Sequence, residues 1–99
     1  MVAEGINSAS GIIRTIETDD KGDVWIGSST GLYYLPDGQN TAKLITTPFD
    51  LVDMVPSDVF SIELTDNGEI WLALYNLGVL RWNPKGDQAK LLQNHKGEA

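Results

Sequence analysis

The sequence predicts an all-β fold of two four-stranded antiparallel sheets. Three observations lead to this prediction: an internal repeat, short apolar runs with almost no helix signal, and glycines at matching turns in both halves. The repeat is the strongest of the three. Four residues of the first half recur 46 positions later, as Ile16 with Ile62, Asp20 with Asp66, Gly22 with Gly68, and Trp25 with Trp71.

The repeat continues after one inserted residue in the second half. The matching pairs are then Gly31 with Gly78, Ala42 with Ala89, Lys43 with Lys90, and Leu44 with Leu91. A repeat of this length is typical of stacked supersecondary units, none of which buries its apolar face alone. The chain therefore holds two members of an array.

Each unit contains four short runs rich in β-branched and aromatic residues, which predict strands. In chain order, the strands are expected at 13–18, 24–28, 32–35 and 41–46, and at 59–65, 70–75, 79–83 and 88–93. Tight turns are expected between them, because Asn67-Gly68 and its counterpart Lys21-Gly22 tolerate positive φ angles. Asp20 and Asp66 precede these glycines and are expected to bond the turn amides. Gly31 and Gly78 mark the next turn.

The four strands of a unit differ in character. Runs 59–64 and 70–74 are almost continuously apolar, which predicts strands covered on both faces. The fourth runs are mixed and carry Lys43 or Lys90, as suits an outer edge strand. A meander of four strands, repeated in this way, predicts two β-propeller blades that belong to a larger or self-assembled propeller. The predicted segments are a lead-in (1–11), blade 1 (12–47), an inter-blade link (48–57), blade 2 (58–93) and a polar tail (94–99).

These motifs resemble a known repeat. Residues 55–62 (Val-Pro-Ser-Asp-Val-Phe-Ser-Ile), 66–73 (Asp-Asn-Gly-Glu-Ile-Trp-Leu-Ala) and 78–83 (Gly-Val-Leu-Arg-Trp-Asn) are similar to the two-component regulator propeller repeat. Residues 22–28 and 31–34 carry the same pattern in the first unit. The second unit departs from it at Ala73 and Leu74, where Gly and Thr are usual, and by one extra residue around 75–77.

The resemblance implies a non-catalytic sensory or ligand-recognition module, like the extracytoplasmic sensor region of hybrid histidine kinases and related regulators. It implies a periplasmic location, a glycan or other small molecule as ligand, and further blades as partners. Those blades would come from the same parent chain, the preferred interpretation, or from self-association. The alternative is a propeller scaffold for protein–protein assembly that binds no small molecule. A fragment of a lyase-type propeller enzyme is a third hypothesis, but it needs a His and an acid on the ring axis.

Composition excludes several classes. The net charge of −7 is spread over both halves, so phosphate backbones and anionic membrane surfaces are repelled. There is no cysteine for a disulfide or thiolate site, and no apolar run reaches the ~20 residues of a membrane span. We therefore expect no nucleic acid, no direct membrane contact, no cofactor, no metal and no catalytic residue.

The aromatic residues divide into two groups. Because Trp25 and Trp71 occupy identical places, they are expected to pack between blades, together with Ile16 and Ile62. The remaining aromatics are candidates for a ligand or partner surface: Tyr33, Tyr34, Tyr75, Trp82 and the linker's Phe49. Packing of outer strands between blades is the alternative interpretation for each of them.

The acidic clusters and the single histidine carry weaker signals. Asp19, Asp20 and Asp23 lack the spacing of a calcium loop, so a solvated turn is preferred. A calcium role is conceivable in the link, for the group Asp50, Asp53 and Asp58. His95 has no metal-ligand partner in sequence and is interpreted as a tail residue.

Overall fold

A computed structural model of the protein describes residues 11–92. This part of the chain contains eight strands and one short helix: β1 (Ile13–Thr18), β2 (Val24–Ser28), β3 (Gly31–Leu35), β4 (Lys43–Ile45), α1 (Thr47–Leu51), β5 (Val59–Leu64), β6 (Ile70–Leu74), β7 (Gly78–Asn83) and β8 (Gln88–Leu92). The strands form two sheets in chain order, β1-β2-β3-β4 (sheet 1) and β5-β6-β7-β8 (sheet 2). All neighbouring strands are antiparallel, so the predicted pair of four-stranded antiparallel sheets is confirmed.

The turns between the first two strands of each sheet require glycine. Gly22 and Gly68 have φ angles of 88° and 87°, a region that residues with a Cβ rarely adopt. The extra residue of the second unit lies in the β6–β7 turn, where Asn76 takes a φ of 64°. The insertion is therefore confined to a turn, and the strands on either side keep equivalent registers.

The helix α1 was not expected in the link. Pro48 lies in its first turn, where proline's fixed φ angle favours a helix and its missing N–H costs nothing. Pro48 and Phe49 are both buried. A helix of five residues is too short to show a helical period, which is why the sequence pattern did not reveal it. The fourth strand of sheet 1 is correspondingly short, at three residues.

The main core lies between the two sheets. Sheet 1 contributes Trp25 and Leu32, and α1 contributes Phe49. Sheet 2 contributes the side chains that alternate along its strands: Ile62, Ile70, Leu72, Leu74, Leu80 and Trp82. The sheets approach each other closely between β2 and β5, where a Cβ on Gly27 would lie 2.7 Å from the carbonyl oxygen of Val59.

Burial alternates along β6, which differs from the expectation of a strand covered on both faces. Ile70, Leu72 and Leu74 are buried, whereas Trp71 and Ala73 are only partly buried. The reason is that residues 11–92 supply a packed sheet on one side of β6 only. On the far side of sheet 1, Ile16 is likewise 50% exposed and Leu44 is 46% exposed.

Candidate functional site at the seam between the sheets

A β-bulge interrupts the first strand of each sheet at the same place. The register shifts between Ile13 and Thr15 in β1, and between Val59 and Ser61 in β5. The bulged residues, Arg14 and Phe60, are 46 positions apart and are therefore repeat equivalents. A bulge takes a residue out of the ladder and redirects its side chain. Because β1 and β5 contact each other, both bulges lie at the seam between the sheets.

Arg14 forms a two-point ion pair with Asp58, which immediately precedes β5. The Arg14 Nε donates to Asp58 Oδ1 at 3.1 Å, and Nη2 donates to Oδ2 at 2.9 Å. These hydrogen bonds with Asp58 raise the pKa of the Arg14 guanidinium above its usual value. The pair joins the two units across the seam, and its side chains stay 37% and 23% exposed. It is therefore a fixed charged feature of an accessible surface.

Phe60 meets Tyr75 beside this ion pair. Their ring centroids are 6.5 Å apart and the rings are nearly perpendicular, at 81°. Phe60 is 47% exposed and Tyr75 is 61% exposed. The backbone N–H of Tyr75 donates to the carbonyl of Asp58 at 3.0 Å, so the aromatic pair and the ion pair share one backbone support. We call the surface formed by Arg14, Asp58, Phe60 and Tyr75 the seam patch.

The seam patch combines two aromatic edges with a charged, hydrogen-bonding pair. Such a surface can stack on an apolar face of a ligand and hold its hydroxyl, amide or charged groups at one side. Of the four residues, Tyr75 was predicted from sequence as a surface aromatic, and Asp58 was named only for a conceivable calcium role, whereas Arg14 and Phe60 were not candidates. The sequence predicts Phe60 as part of a continuous apolar strand. Its repeat equivalent is the charged Arg14, and this difference in polarity is the sequence signal that marks the position as exposed.

The other predicted surface aromatics are buried or occupied elsewhere. Tyr33 is 6% exposed on the outer side of sheet 1, and its hydroxyl bonds Thr30 Oγ1 at 3.0 Å. Trp82 is 6% exposed in the core, where its ring packs edge to face on Trp25 with the ring centroids 5.9 Å apart. Tyr34 stacks on Trp25 at 4.5 Å. The structure therefore brings none of these three to the surface that holds Tyr75, and Phe49 is fully buried.

The hydroxyl of Tyr34 donates to Asp23 Oδ2 at 2.7 Å. This hydrogen bond, with burial second, raises the pKa of Tyr34 to about 12. The Asp23 carboxylate also accepts a hydrogen bond from the Asp37 backbone N–H, which is the main cause of the lowered pKa of Asp23. Tyr34 is therefore held by Asp23 and packs against the Trp25 ring.

Sheet 2 carries an equivalent arrangement around Trp71. Glu69, the repeat equivalent of Asp23, accepts two hydrogen bonds from Arg81 at 3.2 and 3.1 Å and one from Trp71 Nε1 at 3.1 Å. These bonds, with Arg81 first, lower the pKa of Glu69. The Arg81 guanidinium lies 5.5 Å from the centre of the Trp71 ring. The Trp71 side chain is therefore fixed from two directions.

The four residues expected to pack between blades fall on different surfaces. Trp25 and Ile62 lie between the sheets, in the main core. Ile16 lies on the outer side of sheet 1, and Trp71 lies on the outer side of sheet 2. Trp71 lines a shallow depression of about 320 Å³ there, together with Ser61, Glu63, Ala73 and Val79.

The turn amides are bonded by residues one position before the expected ones. Asp19 Oδ1 accepts from the N–H groups of Lys21 and Asp23 at 2.9 and 3.0 Å. In sheet 2, Thr65 Oγ1 accepts from the N–H of Glu69 at 2.9 Å. Asp20 and Asp66 lie within these turns and are exposed. The residue whose side chain accepts from the turn amides is therefore the first one after the strand, Asp19 after β1 and Thr65 after β5.

The weaker candidates gain no ligand geometry from the structure. Asp58 pairs with Arg14, while Asp50 and Asp53 are exposed around α1. Within residues 11–92, no three His, Cys, Asp or Glu side chains are grouped as a metal site would require. His95 lies outside the described residues. No helix in this part of the chain has the length and apolarity needed to cross a bilayer.

Comparison of the chain with protein-family models, with curated proteins and with solved structures gave no match.

Proposed function

We propose that the chain is a non-catalytic recognition module of a β-propeller, similar to the extracytoplasmic sensor region of two-component regulators. In this proposal each sheet is one blade, and the seam patch is the surface that contacts a small-molecule ligand such as a glycan. The carrying observation is the pair of equivalent bulges, which places Arg14 and Phe60 on one accessible surface with Asp58 and Tyr75.

The arrangement of the sheets supports the propeller part of the proposal. Their first strands, β1 and β5, contact each other, and α1 packs against the fourth strand, β8. Phe49 of α1 fills the space beside β8 as part of the core. When blades are arranged around an axis, their first strands lie close together at the centre and their fourth strands lie further apart at the rim. A side chain such as Phe49 is then needed to fill the space between the outer strands.

The chemistry of the seam patch supports recognition. The exposed edges of Phe60 and Tyr75 offer a stacking surface for a sugar ring, while the ion pair offers hydrogen-bond donors and acceptors in a fixed geometry. The titratable groups with shifted pKa values, Arg14, Asp23, Tyr34 and Glu69, are all engaged in structural hydrogen bonds. This engagement favours binding over covalent chemistry in the proposal.

The test is calorimetric titration of the chain with maltohexaose, xylohexaose and a chondroitin-derived oligosaccharide. Saturable binding that Tyr75→Ala weakens at least tenfold, and that Val55→Ala leaves unchanged, would support the proposal. Val55 is 76% exposed and outside the patch, which makes it a matched surface control. Saturable binding that is insensitive to Tyr75→Ala would contradict the assignment of the patch.

The alternative function is a propeller scaffold that mediates assembly without a small-molecule ligand. The observation that favours it is the partly exposed apolar surface on the outer sides of both sheets, at Ile16, Leu44 and Trp71. A discrete assembly that shows no heat of binding with any of these oligosaccharides would favour the scaffold.

A further inference from the structure

The contact between the two sheets pairs unlike faces. The face of sheet 1 that carries Trp25 packs on the face of sheet 2 that carries Leu72. Because the sheets are equivalent strand by strand, each docked face has a counterpart on the opposite sheet. The counterpart of the docked Trp25 face is the outer side of sheet 2. The counterpart of the docked Leu72 face is the outer side of sheet 1.

The outer side of sheet 2 matches the docked face at three of the four positions in its central row, with Arg81 in place of Tyr34, and it carries Ala73 where the docked face has Gly27. Across the strands, the docked face of sheet 1 presents the row Glu17, Trp25, Tyr34 and Lys43. The outer side of sheet 2 presents the row Glu63, Trp71, Arg81 and Lys90. We call this outer side the Trp71 face. Its tryptophan is held by Glu69 and Arg81 in the way that Trp25 is held by Asp19 and Tyr34, so the surface is already organised for docking.

The outer side of sheet 1 matches the other partner of the contact. The docked row of sheet 2 is Ile62, Leu72, Leu80 and Leu91. The corresponding row of sheet 1, here the Ile16 face, is Ile16, Ile26, Tyr33 and Leu44. Ile62 is 4% exposed in its docked position, whereas Ile16 is 50% exposed. Ile26 and Tyr33, in the middle of the row, are already buried, so Ile16 and Leu44 are the apolar groups that remain to be covered.

We propose that the chain assembles head to tail with a second copy of itself, the Trp71 face of one copy docking on the Ile16 face of the next. The contact within the chain is the template for which faces pair, since it joins the counterparts of these two faces. Because Ala73 occupies the position of Gly27, two copies meet at a wider spacing than β2 and β5 do. A second copy is the fitting partner because each copy carries both faces and therefore supplies what the other needs. The contact is heterologous, so it closes into a ring if the rotation allows.

This contact does not depend on a ligand. Only its copy number rests on the propeller arrangement proposed above. A ring of about four to eight blades would need about two to four copies of a two-sheet chain. If no oligosaccharide binds, the proposed contact between copies is not contradicted. If the chain is monomeric, the proposed ligand binding is not contradicted, so the two proposals are tested separately.

The test is absolute mass by light scattering after size exclusion, using the full 10.8 kDa chain. We expect a discrete assembly of about two to four copies, because each copy supplies two blades and a propeller has roughly four to eight. Trp71→Glu alters one face, and the double variant Ile16→Glu with Leu44→Glu alters the other; each should yield monomer. Val55→Glu, which adds the same charge at an exposed position outside both faces, should keep the parent assembly.

Mixing gives the decisive result. The Trp71→Glu chain keeps an intact Ile16 face, and the double variant keeps an intact Trp71 face, so an equimolar mixture should form a one-to-one dimer. A monomeric parent would overturn the proposal. So would an assembly that only Trp71→Glu disrupts, because that pattern indicates a same-face contact. If the circular dichroism of Trp71→Glu differs from the parent, Val79→Lys, on the same face, repeats the test.

Discussion

The close approach of β2 to β5 predicts a large effect from one added methyl group. Gly27 lies in β2 and faces β5. A Cβ there would lie 2.7 Å from Thr15 Cγ2, 2.7 Å from the carbonyl oxygen of Val59, and 2.8 Å from Val59 Cγ1. All three distances are shorter than real Cβ contacts, and one of the atoms belongs to the backbone. Gly27→Ala must therefore move β5 away from β2.

We expect Gly27→Ala to lower the free energy of unfolding by about 2 kcal/mol, within the range of roughly 1–3 kcal/mol for overpacking in a well-packed core. In a domain of this size, that change lowers Tm by about 8–16 °C. The penalty is steric, because Gly27 is not among the glycines with positive φ. The repeat is consistent with this reason, since the equivalent position on the outer side of sheet 2 is occupied by Ala73.

The assay is urea unfolding followed by tryptophan fluorescence, because Trp25 and Trp82 report on the contact between the sheets. Gly86→Ala is the matched control: it adds the same methyl group where the nearest atom lies 3.7 Å away. That control should be neutral or stabilise by up to about 1 kcal/mol through the unfolded chain. All measurements use one protein concentration, because assembly would shift the midpoint. If the two variants differ by less than about 0.5 kcal/mol, the close packing of β2 on β5 is refuted.

Three further predictions concern the hydrogen bonds beneath the tryptophans and in the turns. The raised pKa of Tyr34, about 12, means that its stabilising contribution is complete below pH 10 and is lost as the pH rises towards 12. Tyr34→Phe should remove an ionisation step near pH 12 from an ultraviolet titration of the tyrosines. The lowered pKa values of Asp23 and Glu69 mean that stability is present above their unfolded values and is lost as the pH falls through the folded ones. Asp23→Asn and Glu69→Gln should therefore flatten the acid limb of stability against pH. Thr65→Val should cost about 1 kcal/mol in urea unfolding, because the Glu69 N–H loses its acceptor.

Each of these predictions has a result that would contradict it. An ultraviolet titration in which Tyr34→Phe keeps the ionisation step near pH 12 would contradict the assignment of the raised pKa to Tyr34. Acid unfolding identical to the parent in Asp23→Asn and Glu69→Gln would mean that their hydrogen bonds do not persist in solution. For Thr65→Val, the comparison is Thr41→Val at an exposed position, and equal costs for the two would remove the role of the turn hydroxyl.

The fold could be predicted from sequence because its signals are local and occur twice. Glycines such as Gly22 and Gly68 mark positive φ angles, and the apolar runs between turns are of strand length. The equivalence of the two units then confirms the assignment of each strand by that of its counterpart. Element bounds differ mainly at β4, where the predicted run 41–46 is reduced to Lys43–Ile45.

The candidate site could be predicted only in part because its contacts are not local. The partners Arg14 and Asp58 are 44 residues apart, and no pattern within either segment indicates that they meet. Phe60 faces outward only because a bulge removes it from the alternation of β5. Conversely, Tyr34 and Trp82 were candidates because they are aromatic, but Trp82 is buried in the core and Tyr34 is partly buried against Trp25. Residue type identified the chemistry, and tertiary packing decided its accessibility.

The helix α1 also bears on how such units can be exchanged or duplicated. Phe49 is fully buried against residues of both sheets, so the segment after sheet 1 is part of the core that it shares with sheet 2. At the matching place in the second unit, 47 positions later, the sequence has Lys96 instead. The two units therefore differ in sequence directly after their sheets. Exchanging the two units in the sequence would place a lysine where Phe49 now follows sheet 1, so the two equivalent units are not interchangeable.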